Sequence, residues 1–386
     1  MIGLCIKYAH ENYGGMLQAF ATVKIFEKMG MAYELIRYDK SHSLSFKIKA
    51  AFRVFNGVFL NDKLEALRKK IGKVLHPEFA KNDALRMQAF HAFRDREFVK
   101  LAPISYGYKK LCTDSKKYSA VISGSDQLWS PSGLSTNFFN LMFVNESVRK
   151  ISYASSFGVS NIPWYQKRKT AQYLNRLDFI SMRENRGAEI VKELTGRDVP
   201  VVIDPVMMLT ANEWDRLIPR NEQQNNEYIF AYFLGENQAY RIAVKEFSQK
   251  TGLKIIALRH MDQYVAADET FGDEAPYNVG PAEFLDLLRG AKYVCTDSFH
   301  GSVFSILYHK QFITFNRYSV TSKHSKNSRI DTLCGNLGLN GRRYDENFME
   351  RMEEPIDYKT VDEKIEGLRK QASDYLTNAL QGIDQL

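Results

Sequence analysis

Short apolar runs alternate along most of the chain with longer stretches whose apolar residues recur at helical spacing. The runs within "MIGLCIKYA", "YSAVISG" and "LKIIALRH" are typical of short strands buried in a parallel sheet. After the first run, apolar residues from Leu17 to Met29 recur on one helix face, and Gly30 ends that helix. With the next run, "AYELIRY", the order strand, turn, helix, strand predicts a βαβ beginning.

This alternation occurs in two series. The first series is predicted to close with a strand in "VPVVIDP" and a short helix in "ANEWDRLI", and the polar stretch "PRNEQQNNE" is then predicted as a linker. A chain of 386 residues is too long for one small core. We therefore predict an α/β domain over 1–210, a second α/β domain over 220–345 and a helical segment over 346–386.

The predicted fold class is α/β, with two doubly wound Rossmann-like domains that face each other across a cleft. In such sheets, ligands bind beyond the carboxyl ends of the strands. The loops that directly follow predicted strands are therefore the places to search for a site.

Charge is concentrated in one segment. The net charge is +8, and Ser41 to Ala120 contain 17 Lys and Arg against 7 Asp and Glu. The basic part, about 41–110, is predicted as a helical insert in the first domain. Its basic and apolar helix faces suit either contact with an anionic membrane surface or packing on the domain with solvated lysines.

The sequence suggests a cytoplasmic protein. If the basic segment contacts an anionic membrane, the protein would lie peripherally at the inner face of that membrane. No apolar run reaches 18 residues, and the N-terminus lacks the pattern of a secretory signal. Four cysteines without a CxxC pair favour reduced thiols over a zinc site. No metal and no cofactor are predicted.

The stretch "CTDSFHGS" combines a helix start with a histidine. Ser298 is a suitable N-cap, and Phe299, His300 and Gly301 would form the first helical turn. Free backbone N–H groups there favour an anion, and a histidine can donate to a phosphate or deliver a proton. The same pattern also fits a plain capped helix with a solvated histidine.

Three further loops follow predicted strands and carry polar residues. In "SGSDQLWS", Asp126 lies in a loop that could bind an anion, and Trp129 could stack on a sugar or belong to the core. In "SMRENRG", Arg183 could bind a carboxylate or phosphate, or form a surface ion pair with Glu184. The third loop, "HENYGGMLQAF", could present backbone amides or be an ordinary turn. Asp204, before Pro205, is interpreted as a turn or hinge residue.

Taken in order, several motifs resemble the polysaccharide pyruvyl transferase family. They are "NYGGMLQAF", "SGSDQLW", "SYASSFG", "SMREN", "VVIDPVMML", "CTDSFHGSVFSILYHKQFITF" and "NSRI". The resemblance covers most of the chain except the basic segment. Phe299 stands where family members often have Leu or another apolar residue, which is a conservative departure.

The resemblance implies a fold similar to the two-domain B-type glycosyltransferases. It also implies transfer of pyruvate from phosphoenolpyruvate to two hydroxyls of a sugar in a surface polysaccharide or its lipid-linked precursor, with formation of a cyclic ketal and release of phosphate. His300 and Arg183 correspond to family residues implicated in binding the donor.

We expect His300 to act as the acid or to stabilise the leaving phosphate, and Asp126 to act as a base, with Arg183, Ser298, Phe299 and Gly301 binding phosphoenolpyruvate. The candidates for acceptor binding or for lining the cleft are Asn12, Tyr13, Gly14, Gln18, Ser125, Gln127, Trp129 and Arg329.

Two functions from other classes remain open. One is a nucleotide-sugar-dependent glycosyltransferase of the same architecture. The other is a non-catalytic binder of anions or nucleic acid through the basic segment. Nucleic acid is an unlikely partner because the base-reading and stacking motifs of known modules are absent.

Overall fold

Six parallel strands form the sheet of the first domain in the order β3-β2-β1-β4-β5-β6. The structure is a computed structural model that describes residues 1–39, 67, 69–221, 227–317 and 328–383. The central strand β1 has the sequence "IGLC" and is buried along its whole length, as the apolar run predicts. The strands are β1 (Ile2–Cys5), β2 (Tyr33–Asp39), β3 (Leu101–Tyr106), β4 (Ala120–Ser123), β5 (Arg149–Ser155) and β6 (Phe179–Met182).

Helices connect these strands. The first helix has the apolar face that the spacing predicts, but it starts at Tyr13, because Asn12 caps it there by accepting a hydrogen bond from the Gly15 N–H (2.9 Å). The helices of this half are α1 (Tyr13–Lys28), α2 (Pro77–Glu97), α3 (Tyr108–Asp114), α4 (Lys167–Arg176), α5 (Asn185–Thr195) and α6 (Ala211–Leu217).

The second domain has a four-stranded parallel sheet in the order β10-β9-β7-β8. Its strands are β7 (Ile229–Tyr232), β8 (Ile255–Ala257), β9 (Tyr293–Thr296) and β10 (Gln311–Thr314). The later helices are α7 (Gln238–Thr251), α8 (Pro281–Gly290), α9 (Phe299–Leu307), α10 (Ser328–Leu337), α11 (Phe348–Glu353) and α12 (Tyr358–Leu380). Two parallel α/β sheets confirm the predicted fold class.

The two domains share apolar contacts that bring α1 and α9 together. Trp214 packs on Phe20 of α1 and on Phe304 of α9, with ring centroids 5.7 and 5.1 Å apart. Tyr13, at the start of α1, stacks on Phe284 of α8 at 4.9 Å. Because aromatic pairs bury large areas, these contacts hold the first turns of α1 and α9 beside one another.

The C-terminal helix α12 returns to the first domain. The Tyr375 hydroxyl donates to the carbonyl of Ser152 in β5 (2.6 Å), and Arg369 Nε donates to the carbonyl of Met207 (2.7 Å). The predicted C-terminal segment is therefore helical and bridges the two halves of the molecule.

The stretch "VPVVIDP" was wrongly predicted as a strand. Val201 forms only an isolated bridge with Met182, and a short 3₁₀ helix, Pro205–Met208, follows. Proline has no N–H to donate to a sheet ladder, and Asp204 caps the turn by accepting from the Val206 N–H (3.0 Å).

The basic segment is only partly described, because residues 40–66 and 68 lie outside the described ranges. Its last part differs from the predicted insert, since β3 joins the sheet within 41–110. Helix α2 packs on the body of the protein, with Phe90 and Phe93 buried. Its buried Arg86 donates to the carbonyl of Arg259 in the second domain (2.5 Å). For this helix, packing is the interpretation that the structure supports.

None of the helices in the described ranges is long and apolar enough to cross a membrane.

Candidate active site

A cavity of about 220 Å³ lies where loops from the carboxyl ends of both sheets meet. Most of its lining residues come directly after strands or from the first turns of α1, α9 and α10, as expected for parallel α/β sheets. They are Lys7, His10, Asn12, Gly15, Asp126, Gln127, Leu234, Asp262, Asp297, Ser298, Phe299, His300, Arg317, Arg329 and Ile330.

His300 lines this cavity from the first turn of α9. Ser298 caps the helix by accepting from the Gly301 N–H (3.3 Å). The imidazole is buried and packs directly on Gly14 of α1, where an added Cβ would lie 2.0 Å from Nδ1. His300 Nε2 is buried without a hydrogen-bond partner among the described residues, and its nearest carboxylate is Asp204 Oδ2 at 3.6 Å.

Asp204 connects His300 to the first domain. Its Oδ2 accepts hydrogen bonds from Arg183 Nη1 (2.8 Å) and from the Ser125 hydroxyl (2.9 Å). Burial raises the pKa of the Asp204 carboxyl, but His300 and Arg183 outweigh burial and hold the pKa below its usual range. The carboxylate therefore stays ionised beside the imidazole of His300.

Sequence reasoning missed Asp204. It interpreted this residue as a turn former, which Asp204 also is. The Asp-Pro pair signals a turn in any sequence, whereas the contact with His300 joins positions 96 residues apart.

Arg183 lies behind Asp204 and does not line the cavity. Its side chain is 1% exposed and its guanidinium packs on the Phe299 ring, 4.7 Å from the centroid. It also lies 3.9 Å from a carboxylate oxygen of Asp126 and 3.9 Å from one of Glu184. Since Arg183 and His300 both approach Asp204 Oδ2, two residues 117 positions apart meet around one carboxylate.

Glu184 is also buried, so a surface ion pair between Arg183 and Glu184 is the wrong interpretation. The Ser156 hydroxyl donates to Glu184 Oε1 (2.8 Å). Burial raises the pKa of the Glu184 carboxyl despite the nearby arginine. The pair belongs to the interior of the first domain.

Asp126 lines the cavity on the side of the first domain. Its φ of 74° lies in the left-handed region, which is uncommon for a residue with a Cβ and is often found at functional sites. Burial raises the pKa of Asp126, but Lys7, Arg183, His300 and the Gln127 N–H together lower it below its usual range. Asp126 is therefore a carboxylate that faces the cavity.

Three cationic side chains line the cavity: Lys7, Arg317 and Arg329. The N-termini of α1 and α9 point into the same region, as Asn12 and Ser298 show by lining it. Cations and helix N-termini both attract anions. Lys7 and Arg317 were not predicted, although each follows a strand by two or three residues.

Several predicted site residues do not line the cavity. Trp129 is a core residue, because its indole N–H donates to the carbonyl of Phe139 (3.1 Å) and its ring packs on Phe157 and Tyr173. It is 4% exposed, which excludes a sugar platform in this conformation. Gly301 is buried too, against Thr296 of β9.

Tyr13, Gln18 and Ser125 are also interior. The Tyr13 hydroxyl donates to the carbonyl of Val279 (2.7 Å), and Gln18 Nε2 donates to the Thr22 hydroxyl (2.8 Å). Ser125 supports Asp204 instead of facing a ligand. Of the residues predicted for the cleft, those that line the cavity are Asn12, Asp126, Gln127, Ser298, Phe299, His300 and Arg329.

Within the described ranges, no group of three or more His, Cys, Asp or Glu side chains is arranged to hold a metal ion. The four cysteines are free thiols.

Comparison with solved structures gives matches over the whole chain at very low identity. UDP-GlcNAc 2-epimerase from Neisseria meningitidis is 8% identical, with 97% of this chain and 100% of that chain covered and a TM-score of 0.47. A putative UDP-N-acetylglucosamine 2-epimerase from Listeria monocytogenes is 9% identical, with 100% and 97% covered and a TM-score of 0.49.

The E. coli heptosyltransferase WaaC is 11% identical, with 86% of this chain and 98% of that chain covered and a TM-score of 0.33. Because these TM-scores are below 0.5, the similarities carry no conclusion about the chemistry of this chain.

No curated protein matches the chain significantly. The sequence model described as polysaccharide pyruvyl transferase matches residues 12–319. That range contains β1-to-α1 loop residues, Asp126, Arg183, Asp204 and the α9 turn with His300. The chain therefore belongs to the polysaccharide pyruvyl transferase family and is a transferase.

Proposed function

We propose that this protein transfers pyruvate from phosphoenolpyruvate to two hydroxyls of a sugar acceptor, forming a cyclic ketal and releasing phosphate. The observation that carries the proposal is the position of His300. It lies beside an ionised, buried carboxylate and lines a cavity together with three cations and two helix N-termini.

The donor carries a carboxylate and a phosphate, so its site must hold two anionic groups. Lys7, Arg317, Arg329 and the start of α9 supply positive potential from both domains. The family resemblance implies that Arg183 binds the donor. In this arrangement Arg183 instead acts through Asp204, because its guanidinium is buried behind that carboxylate.

In this proposal, His300 delivers the proton that starts the reaction. Protonation of the donor's methylene carbon makes the neighbouring carbon, C2, electron-poor. The Asp204 carboxylate, 3.6 Å from Nε2, acts by its negative charge on the imidazolium that the reaction requires, so Asp204 supports an acid without touching the substrate. Its low pKa means that it does not take the proton itself.

Asp126 is suited to the acceptor. A sugar hydroxyl attacks C2 and loses its proton, phosphate then leaves, and the second hydroxyl closes the ring and loses its own proton. The two acceptor hydroxyls thus release two protons. One replaces the proton that the acid gave to the methylene carbon, and the other leaves with phosphate. The hydroxyl becomes strongly acidic as it bonds to the electron-poor carbon, so a carboxylate with a lowered pKa is a sufficient acceptor.

The test measures donor-dependent phosphate release with a panel of glycosides that carry free diols. We expect His300→Ala to reduce the rate by about 10²- to 10⁴-fold, the usual contribution of a general acid. His91→Ala is the matched control, since His91 is a partly exposed histidine on α2, and it should release phosphate at the wild-type rate. Unchanged release by His300→Ala contradicts the assignment.

A thermal-shift measurement separates this proposal from the glycosyltransferase alternative. Phosphoenolpyruvate should raise the unfolding temperature of the wild-type protein, because a ligand that binds only the folded state stabilises it. Stabilisation by nucleotide sugars and not by phosphoenolpyruvate would favour the alternative.

A further inference from the structure

An exposed cluster of aromatic and basic side chains lies at the start of α4, far along the sequence from the basic segment. Trp164 is 83% exposed and Tyr165 is 47% exposed, and their rings meet edge to face at 5.8 Å. Lys167, Arg168 and Lys169 follow directly and are all exposed. We call these five residues the aromatic–basic patch.

The charge of the aromatic–basic patch is not neutralised locally. No Asp or Glu occurs between Ser147 and Leu177. Within the described ranges, none of the three cations of the patch forms an ion pair with a carboxylate. All three lie in the first turn of α4, where the helix dipole disfavours positive charge. These charges therefore do not stabilise the helix, and an anionic partner would relieve their repulsion.

The aromatic–basic patch is at the same end of the first sheet as the cavity. Gln166, inside the same turn, donates to the carbonyl of Pro131 (3.2 Å), in the loop whose earlier residues Asp126 and Gln127 line the cavity. The turn is also tied to the end of β6, because Arg186 Nε donates to the carbonyl of Ser160 (2.6 Å). A partner bound to the patch would thus lie at the carboxyl end of the first sheet, as the cavity does.

We propose that the aromatic–basic patch docks the protein on an anionic membrane surface. An exposed indole next to a phenol suits the interface, where such rings place their apolar body among lipids and their polar group near the headgroups. Neighbouring cations add attraction to anionic lipids. A sugar-binding platform would need carboxylates or amides beside the ring to receive hydroxyls, and the other members of the patch, a tyrosine and three cations, carry neither.

This proposal is independent of the proposed reaction, since membrane binding is measured without any substrate. It is also independent of the basic segment. Docking through the patch would hold the cavity near acceptors that are attached to membrane lipids.

Tryptophan fluorescence gives a direct test on the full chain. The protein has three tryptophans, and Trp129 and Trp214 are 4% and 0% exposed, so Trp164 alone reports on the surface. Vesicles of 70% phosphatidylcholine and 30% phosphatidylglycerol should shift the emission to shorter wavelength. Phosphatidylcholine brominated on its acyl chains, mixed into those vesicles, should quench it. The substitution W164F should abolish both changes.

Co-sedimentation with the same vesicles at about 150 mM salt tests the cations. The triple substitution K167S/R168S/K169S should lower the partition coefficient at least tenfold, because each cation near an anionic surface contributes a factor of about five. The matched control is K245S/K359S/K370S, which removes three exposed lysines from the other half of the chain and should bind as the wild type does. For the aromatic part, W164S should weaken binding, whereas I242S, at an exposed apolar residue of α7, should not.

Several outcomes would overturn the proposal. They are no binding of the wild type to anionic vesicles, equal binding of the two triple variants, or a Trp164 signal that vesicles leave unchanged. Binding to soluble polygalacturonate, lost in K167S/R168S/K169S, together with no binding to vesicles, would assign the patch to an acidic polysaccharide instead. Circular dichroism of each variant shows whether it is folded, so a loss of binding can be attributed to the patch.

Discussion

Helices α1 and α9 begin at the same cavity, one from each domain, and they contribute in opposite ways. Both are capped by a side chain, Asn12 in α1 and Ser298 in α9. The first turn of α9 carries His300, a reactive side chain. The first turn of α1 carries Gly14, whose missing side chain leaves the space that the His300 ring occupies.

The difference shows how two similar strand–helix junctions build one site. The junction of the second domain supplies the chemical group, and the junction of the first domain supplies backbone and room for it. Asp204 completes the arrangement from the first domain by holding the far side of the imidazole. Each of these three parts can be removed separately.

The largest effect is expected from Asp204→Asn, which removes the carboxylate that His300 and Arg183 share. Removing one member of a buried ion pair typically destabilises a protein by about 3–5 kcal/mol, because the partner charge remains buried. Urea unfolding measures this change. Asp357→Asn is the control, since Asp357 caps the exposed start of α12 and Asn caps equally well.

The effect of Asp204→Asn on the stability of the protein should depend on pH. The pKa of Asp204 is lower in the folded protein than in the unfolded chain, where it is about 3.9. Its contribution to stability is therefore complete above that value and is lost as the pH falls through the lower folded pKa. Asp204→Asn should lack this part of the acid sensitivity. An equal acid sensitivity in wild type and variant would show that Asp204 is not held as an ion.

A smaller effect on stability, but a sharp one on activity, is expected from Gly14→Ala. The new Cβ would lie 2.0 Å from His300 Nδ1, so the imidazole must move, at a cost of about 1–3 kcal/mol for overpacking. Phosphate release should fall as strongly as in His300→Ala.

The neighbouring glycine provides the control for this prediction. In Gly15→Ala the nearest contact would be Asn12 Oδ1 at 3.6 Å, and alanine favours a helix by up to about 1 kcal/mol over glycine. We expect Gly15→Ala to be at least as stable as the wild type. If Gly14→Ala keeps full activity, the contact between α1 and His300 is not needed for the reaction.

The smallest effects are expected from the two caps. Asn12→Ala and Ser298→Ala should each destabilise the protein by about 1 kcal/mol, measured by urea unfolding. Their activities should differ, because the Ser298 cap fixes the turn that carries His300. If the two variants lose phosphate release equally, the two junctions do not have the different roles described above.

Much of this arrangement was predictable from sequence. The apolar runs located β1, β2, β4 and β8, and the rule that ligands bind after parallel strands pointed to the loops that now line the cavity. The pattern around Ser298 predicted the cap and the first-turn position of His300, because capping depends on neighbouring residues along the chain. A helix in the last part of the basic segment was also predicted and is α2, although the strand β3 that follows it was not.

Other features could not be predicted because they depend on packing. Trp129 and Asp126 lie three residues apart in one loop, yet Trp129 is in the core and Asp126 faces the cavity. Polar residues after a strand look alike in sequence, and only the direction of each side chain separates them. The burial of Arg183 and Glu184 likewise follows from neighbours that are distant along the chain.

The sequence by itself determined the two α/β series, the cap of α9 and the family to which the chain belongs, since each depends on local order or on motifs along the chain. The tertiary structure alone decided that Asp204 lies between Arg183 and His300, and that Gly14 makes room for the imidazole. The physical reason is that burial and charge pairing act through space, and these residues meet only when the two domains pack together.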